Sequence, residues 1–343
     1  MSTALDQQRP SAQGEERRSD AFATKVARLS RLSVDKHADA YADIAWDDPE
    51  MALEEGDPRL ELPAFDPLAA TAWYQAQPPA VRALVGRYRY AAAMRIGWHF
   101  ENLLQQGLLR HALWMPNHVP EFRYLQHEII EEGQHTLMFQ ELVDRSGLPV
   151  RGMSGFLRQF AQVSVVPLSR AFPALFFTLV LGGEEPIDHL QRRMLREDGV
   201  RHPLIERITR IHVTEEARHV SFARQVLERD VPRLDPVRRH LLAMTSPVVL
   251  GTMARLMVFP PGDLLRHCGV PRSAAREARR SPAGRQLLRD SVAKPRRLLA
   301  NLGLVNPVSK LLWRAAGVWD EPTAERRDDQ ATGTRTGRTE EAS

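Results

Sequence analysis

One cysteine, Cys268, stands in 343 residues. A lone thiol excludes an intramolecular disulfide and any metal site built from thiolates alone, and it is expected to pack as a small hydrophobe. Lysine is nearly as scarce, confined to Lys25, Lys36, Lys294 and Lys310, so the basic side of the chain is almost all arginine. No segment sustains the apolar–polar alternation of a half-buried strand. Residues 1–20 carry no apolar run, so no secretory signal is expected. The most apolar stretch, Phe172 to Gly183, is about half the length a bilayer requires and reads as a buried helix. The expectation is a cytoplasmic protein with no membrane partner.

Charge is polarised although the formal net value is only +4. Residues 47–62 are acidic, whereas residues 272–297 carry Arg272, Arg276, Arg279, Arg280, Arg285, Arg289, Lys294, Arg296 and Arg297. Such a basic stretch attracts anions in general. Without aromatic interleaving or a nucleic-acid module, it reads as a solvated helix face or a partner for the acidic segment, and no nucleic acid is expected. Arg296 or Arg297 would suit a substrate carboxylate if either faced one. Residues 1–20 and 321–343 are polar and charged, and disordered tails are expected there. Residues 21–320 form one domain.

Four helices are expected over Pro79–Leu113, Glu121–Arg145, Pro173–Arg196 and Pro203–Arg229, paired into two hairpins by turns at Pro116–Pro120 and Glu197–Gly199. Residues 236–319 read as further helices around them. The fold class is all-α with a four-helix core and additional N- and C-terminal helices.

Each hairpin carries the same chemical pattern. Glu132…His135 lies on the second helix and Glu216…His219 on the fourth, and each pair has a glutamate upstream: Glu101 in one case, Glu184 or Glu185 in the other. Residues three or four apart share a helix face, so each Glu-x-x-His offers two donors to one ion. His212, Glu216 and His219 fall within roughly 60° of arc and point together. One carboxylate from each of two helices and a Glu-x-x-His from each of two others is the donor set of a two-metal carboxylate site. Oxygen-rich mixed ligation suits iron, with manganese less suited, and argues against structural zinc or copper. Glu131 and Glu215 sit beside the chosen residues and compete with them at a spacing of four; helical phase favours Glu132 and Glu216. Phase barely separates Glu184 from Glu185, and Pro186 disfavours ordinary helix at Glu185, so a kink or widened turn is expected there. Asp188 and His189 are candidates to orient a metal-bound histidine. The Phe172, Phe176, Phe177 cluster reads as core.

His212-x-x-x-Glu216-x-x-His219, taken with Glu101, Glu132-x-x-His135 and Glu185, resembles the p-aminobenzoate N-oxygenase family of non-haem di-iron oxygenases, over about Pro79 to Arg229. The resemblance implies a ferritin-like helical bundle and two Fe ions. One would be held by Glu101, Glu132 and His135, the other by Glu185, His212, Glu216 and His219; the family interval back from His212 selects Glu185. It further implies O2 as co-substrate and oxidation of an aryl or other small amine toward hydroxylamine and nitro products, in a homodimer. Electrons would come from an external donor or reductase, since no flavin or nicotinamide motif is present. Carbon hydroxylation or desaturation on the same metals is an alternative, and ferritin-like iron storage another.

Overall fold

A computed structural model of the chain describes residues 12–319. The tail expected over residues 321–343 lies outside the described residues, as do residues 1–11 of the N-terminal one. Residues 12–20, also expected in a tail, instead begin helix α1 (Ala12–Asp35). Its Val26 and Leu29 are buried against the bundle.

Among the described residues there is no strand. After the short α2 (Ala72–Gln75) come α3 (Pro79–Ala112) and α4 (Pro120–Ser146), then α5 (Gly155–Ser164) and α6 (Leu168–Ala171), then α7 (Pro173–Arg196) and α8 (Pro203–Asp230). All four long helices start on a proline, where the missing N–H is one that no helical turn would have satisfied. Helix α4 stops at Gly147, whose φ of 63° closes the helix in the left-handed region that glycine enters freely. Helix α3 packs along α4 and α7 along α8, and α1 lies across α4 and α8. Helix α7 stays helical through Pro186 to Arg196, the position where a kink or widened turn was expected.

Helix α9 (Pro236–Val258) covers α7, and the short helices α10 (Gly262–His267), α11 (Arg272–Arg280), α12 (Pro282–Ser291), α13 (Ala293–Asn301) and α14 (Pro307–Ala315) close that side. The stretch Pro236–His267 is long and apolar enough to cross a membrane, a run longer than Phe172–Gly183, but half of its most apolar window is buried inside the fold. Leu242, Leu250 and Ala254 are completely buried there.

One end of the bundle is filled by aromatic rings. Phe177 meets Phe176 and Phe222 edge-on at centroid separations of 5.4 and 5.7 Å, and Tyr124 meets Phe222 at 4.7 Å. Burying each such ring is worth about 1.5–3 kcal/mol, and the packed layer fixes the axial register of α4, α7 and α8. The acidic segment 47–62 pairs with Arg59, Arg82, Arg87 and Arg145. Among the described residues it makes no ion pair with the arginines of 272–297, the internal partnership considered from sequence.

Helix α3 owes its seating to Gly86, where the carbonyl oxygen of Leu60 would lie 1.8 Å from an added Cβ. Gly86→Ala should therefore destabilise the fold by about 1–3 kcal/mol, read as a lowered midpoint of thermal unfolding.

Candidate metal centre

The four long helices bring buried donors together halfway along the bundle. Glu132, His135, Glu216 and His219 form one group, each with one donor atom within 4.8 Å of the others. Three further groups obey the same limit: Glu101, His135 and His212; Glu184, His212 and Glu216; and Glu101, Glu132 and Glu184. Seven side chains are thus joined into one cluster, all of them at most 2 % exposed.

Six of the seven residues expected from sequence are present. At the seventh position the structure places Glu184 in the cluster and Glu185, the residue expected from the resemblance, outside it. Glu185 points to the side, where it pairs with Arg224 and lies 3.8 Å from Lys294. The reason is the unbroken helix. Gly183, Glu184, Ile187 and Gln191 line one small cavity with Glu101 and His212, a stripe of helical spacing. Glu185 and Asp188 occupy the neighbouring stripe, turned by about one residue. Asp188, expected to orient a histidine, instead binds Arg192 at 2.7 Å and faces Lys294 at 3.6 Å.

Orientation of the histidines comes from residues that sequence reasoning ranked as rival ligands. His135 turns Nδ1 to Glu132 at 3.0 Å and to Glu216 at 3.4 Å, while its Nε2–H donates to Glu215 at 2.9 Å. His219 repeats this: Nδ1 faces Glu132 at 2.9 Å and Glu216 at 3.1 Å, and Nε2–H donates to Glu131 at 2.7 Å. The support is exchanged between helices, α8 holding the histidine of α4 and α4 that of α8. Arg218 joins both supports, 2.8 Å from Glu131 and 3.5 Å from Glu215, and the backbone N–H of Ala38 caps Glu215 at 2.8 Å. A carboxylate behind a ligand histidine fixes the ring and raises its basicity. His212 is held differently. Its Nδ1–H donates to Gln191 at 2.8 Å, leaving Nε2 facing Glu216 at 3.7 Å and Glu101 at 3.8 Å.

The electrostatics record a surplus of buried negative charge. Burial and the charges of Glu132, Glu184 and Glu216 raise the Glu101 carboxyl well above its ordinary range, and burial with Glu216 and Glu132 does the same to Glu184. Burial opposes charge on His135, but Glu132 and Glu215 outweigh it and raise the ring to about 10. His219 is likewise driven well above its ordinary value by Glu132 and Glu216. His212, with no carboxylate hydrogen-bonded to it, is lowered by burial to about 4. Glu131 is brought down to about 2 by His219 and Arg218 despite its burial.

Glu128 escaped the sequence reading. It stands one turn before Glu132, where His212 stands before Glu216. It is fully buried, neither oxygen has a hydrogen-bond partner, and burial pushes its carboxyl up to about 8. The spacing Glu128-x-x-x-Glu132-x-x-His135 was available as a signal, matching His212-x-x-x-Glu216-x-x-His219.

The donor chemistry fits a pair of divalent cations. Glu101 Oε2, Glu184 Oε1 and Glu216 Oε2 are buried with no hydrogen-bond partner, and four inner carboxylates balance four positive charges. An all-α bundle with carboxylates and histidines projected inward from four helices defines the ferritin-like two-metal class. A family model for the p-aminobenzoate N-oxygenase AurF matches residues 20–303. The chain belongs to that family, a ferritin-like fold with a di-iron centre. It is also similar to uncharacterized proteins of Mycobacterium tuberculosis and Mycobacterium bovis, each 40% identical over 311 residues, or 90% of this chain and 91% of the relative.

The contrast between adjacent glutamates is directly testable. Glu184→Ala should lower bound iron per chain, measured by elemental analysis after anaerobic loading, whereas Glu185→Ala should leave it unchanged.

Proposed function

We propose that this chain is a di-iron oxygenase that uses dioxygen to oxygenate the nitrogen of an aryl or other small amine. The observation that carries the reading is the joined cluster of Glu101, Glu132, His135, Glu184, His212, Glu216 and His219, with a third histidine one turn before the second Glu-x-x-His. These seven would hold the two Fe ions; Glu184 takes the role that the resemblance gave to Glu185. When bound, the metal pair supplies the electrons and open positions needed to activate O2.

The chain's own residues do the rest. Glu131, Glu215 and Arg218 keep two imidazoles aimed inward, so the donors need no rearrangement when the ions are filled. Phe139 lies 5.3 Å from the His212 ring and 6.2 Å from that of His135, and shields them from water. Phe100 and Met257 join Glu101, Glu184 and His212 around a cavity of about 20 Å³, which admits little beyond a reacting group. Electrons are assigned to an external donor or reductase, consistent with a sequence that carries no flavin or nicotinamide motif.

A second reading, oxygenation or desaturation at carbon, is favoured by one feature. The larger cavity beyond Phe100, about 340 Å³, is lined almost wholly by hydrocarbon side chains. Iron storage is less well supported, because α9 to α14 invest about a quarter of the described chain in covering the bundle.

Iron-loaded, chemically reduced protein should consume O2 faster when an arylamine is added, with hydroxylamine or nitro product seen by mass spectrometry. His135→Ala and Glu216→Ala should each lower iron content and abolish turnover. Oxidised carbon products from a hydrocarbon substrate would favour the second reading. Mineral iron accumulating without substrate-dependent O2 uptake would sink both.

A further inference from the structure

Three arginines of the basic stretch, Arg279, Arg285 and Arg289, meet two from outside it, Arg255 and Arg314. A groove of about 870 Å³ between α9, α11, α12 and α14 is lined by Arg255, Arg279, Arg285, Arg289 and Arg314, with Trp319 at its edge. Among the described residues no Asp or Glu lines it. Arg279 donates only to the carbonyl of Ala275, Arg285 only to that of Arg280, and Arg255 to those of Gly251 and Ala316. Among the described residues these three guanidinium groups make no ion pair. Backbone carbonyls orient these three without neutralising them, so Arg255, Arg279 and Arg285 give the groove a positive charge that no described residue offsets. Guanidinium groups suit a phosphate or carboxylate, which they can bind through paired N–H donors.

The groove is not isolated from the metal cluster. Ile96 and Leu256 line both it and the apolar chamber of about 340 Å³, whose wall carries no charged side chain. The chamber in turn ends on Phe100, which also lines the small cavity holding Glu101, Glu184 and His212. The Phe100 ring lies against Gly183, so close that a Cβ there would come within 2.0 Å of it. Ile96 precedes Glu101 by five residues on α3, roughly 7.5 Å along the axis. Positive groove, hydrocarbon chamber, aromatic partition and buried donors thus follow one another in line.

We infer that the ligand of this chain is an amphiphile with an anionic head in the arginine groove and an apolar tail in the chamber, its far end at Phe100. The described lining of the chamber offers a carboxylate no cationic partner, whereas the groove offers guanidinium groups. A head held outside and a neutral tail inside satisfy both compartments. The inference rests on the oxygenase reading only for what happens at the tail; the binding itself requires no metal.

The test is calorimetric titration of metal-free, full-length protein with decyl phosphate, decanoate, decanol and butyl phosphate below any micellar concentration. Decyl phosphate should bind at least tenfold more tightly than either decanol or butyl phosphate, and decanoate tells whether a carboxylate serves as the head. Arg279→Gln combined with Arg285→Gln should weaken decyl phosphate about tenfold and leave decanol unchanged. Thr252→Trp, which fills the chamber from a solvent-exposed position, should weaken both long-chain ligands and spare butyl phosphate. Equal affinity for decyl and butyl phosphate overturns the proposal, as does an arginine pair without effect. It is equally overturned if the arginine effect disappears once the seven acids of residues 320–343 are changed to amides, because the groove would then serve the chain's own C-terminal segment. Tight binding of decyl phosphate by a protein that loads no iron would sink the oxygenase reading and leave this one standing.

Discussion

An excess of negative charge in a water-free interior is the constraint on which this structure turns. Glu101, Glu132, Glu184 and Glu216 converge from four helices with less than a few per cent of their surface exposed. Uncompensated, each ionised carboxylate would cost several kcal/mol, which protein packing alone offsets poorly. Two remedies are available: protons, or cations. In the metal-free chain protons serve, since Glu101 and Glu184 titrate high and His135 and His219 are drawn up by their neighbours. The same atoms that hold those protons are the ones a divalent pair would use, so loading and proton release are one exchange. The bundle is therefore built to be stable around a replaceable positive charge.

That logic explains the outer layer as well. A histidine that must present Nδ1 inward needs its Nε2–H satisfied without adding a mobile group. Glu131 and Glu215 do this, each from the helix opposite the ring it supports. Their own charge would worsen the surplus, and Arg218 between them removes part of it. Residues 36–40 contribute too, through the Ala38 N–H on Glu215 and the Ala40 N–H on Gln134. The aromatic layer of Phe176, Phe177 and Phe222 supplies the apolar burial that accompanies this polar centre.

Much of this was legible in the residues because helices convert spacing into direction. Glu132, His135, His212, Glu216 and His219 share faces by arithmetic alone, and the prolines at 79, 173 and 203 marked helix starts, with Pro120 read as the end of a turn. Three things were not legible. Adjacent glutamates differ by only about 100° in azimuth, and choosing between 184 and 185 required knowing that α7 passes Pro186 intact. The interval to His212 favoured 185, whereas 184 shares the cavity-lining stripe of Gly183, Ile187 and Gln191. The exchange of carboxylates between α4 and α8 was hidden because it depends on how two helices face each other, which no single helix encodes. The start of α1 was misplaced for a compositional reason: its first turns are as polar as a tail, and its apolar anchors come late, at Val26 and Leu29.

The near-repeat of α4 in α8 breaks at one position, and charge accounts for the break. Offset by seven residues from the histidines, Glu128 and His212 occupy corresponding places, both buried. A second ionised carboxylate at either would add a fifth negative charge to a centre that two divalent cations balance at four. Neither residue does so. Burial holds Glu128 up to about 8, so it is mostly protonated near neutral pH, and lowers His212 to about 4, so it is uncharged. His212 can therefore give one ion an additional nitrogen donor, with Gln191 fixing its tautomer, while the charge balance stays intact. Replacing it by a carboxylate would alter the electrostatics of the whole cluster, which an added neutral imidazole does not.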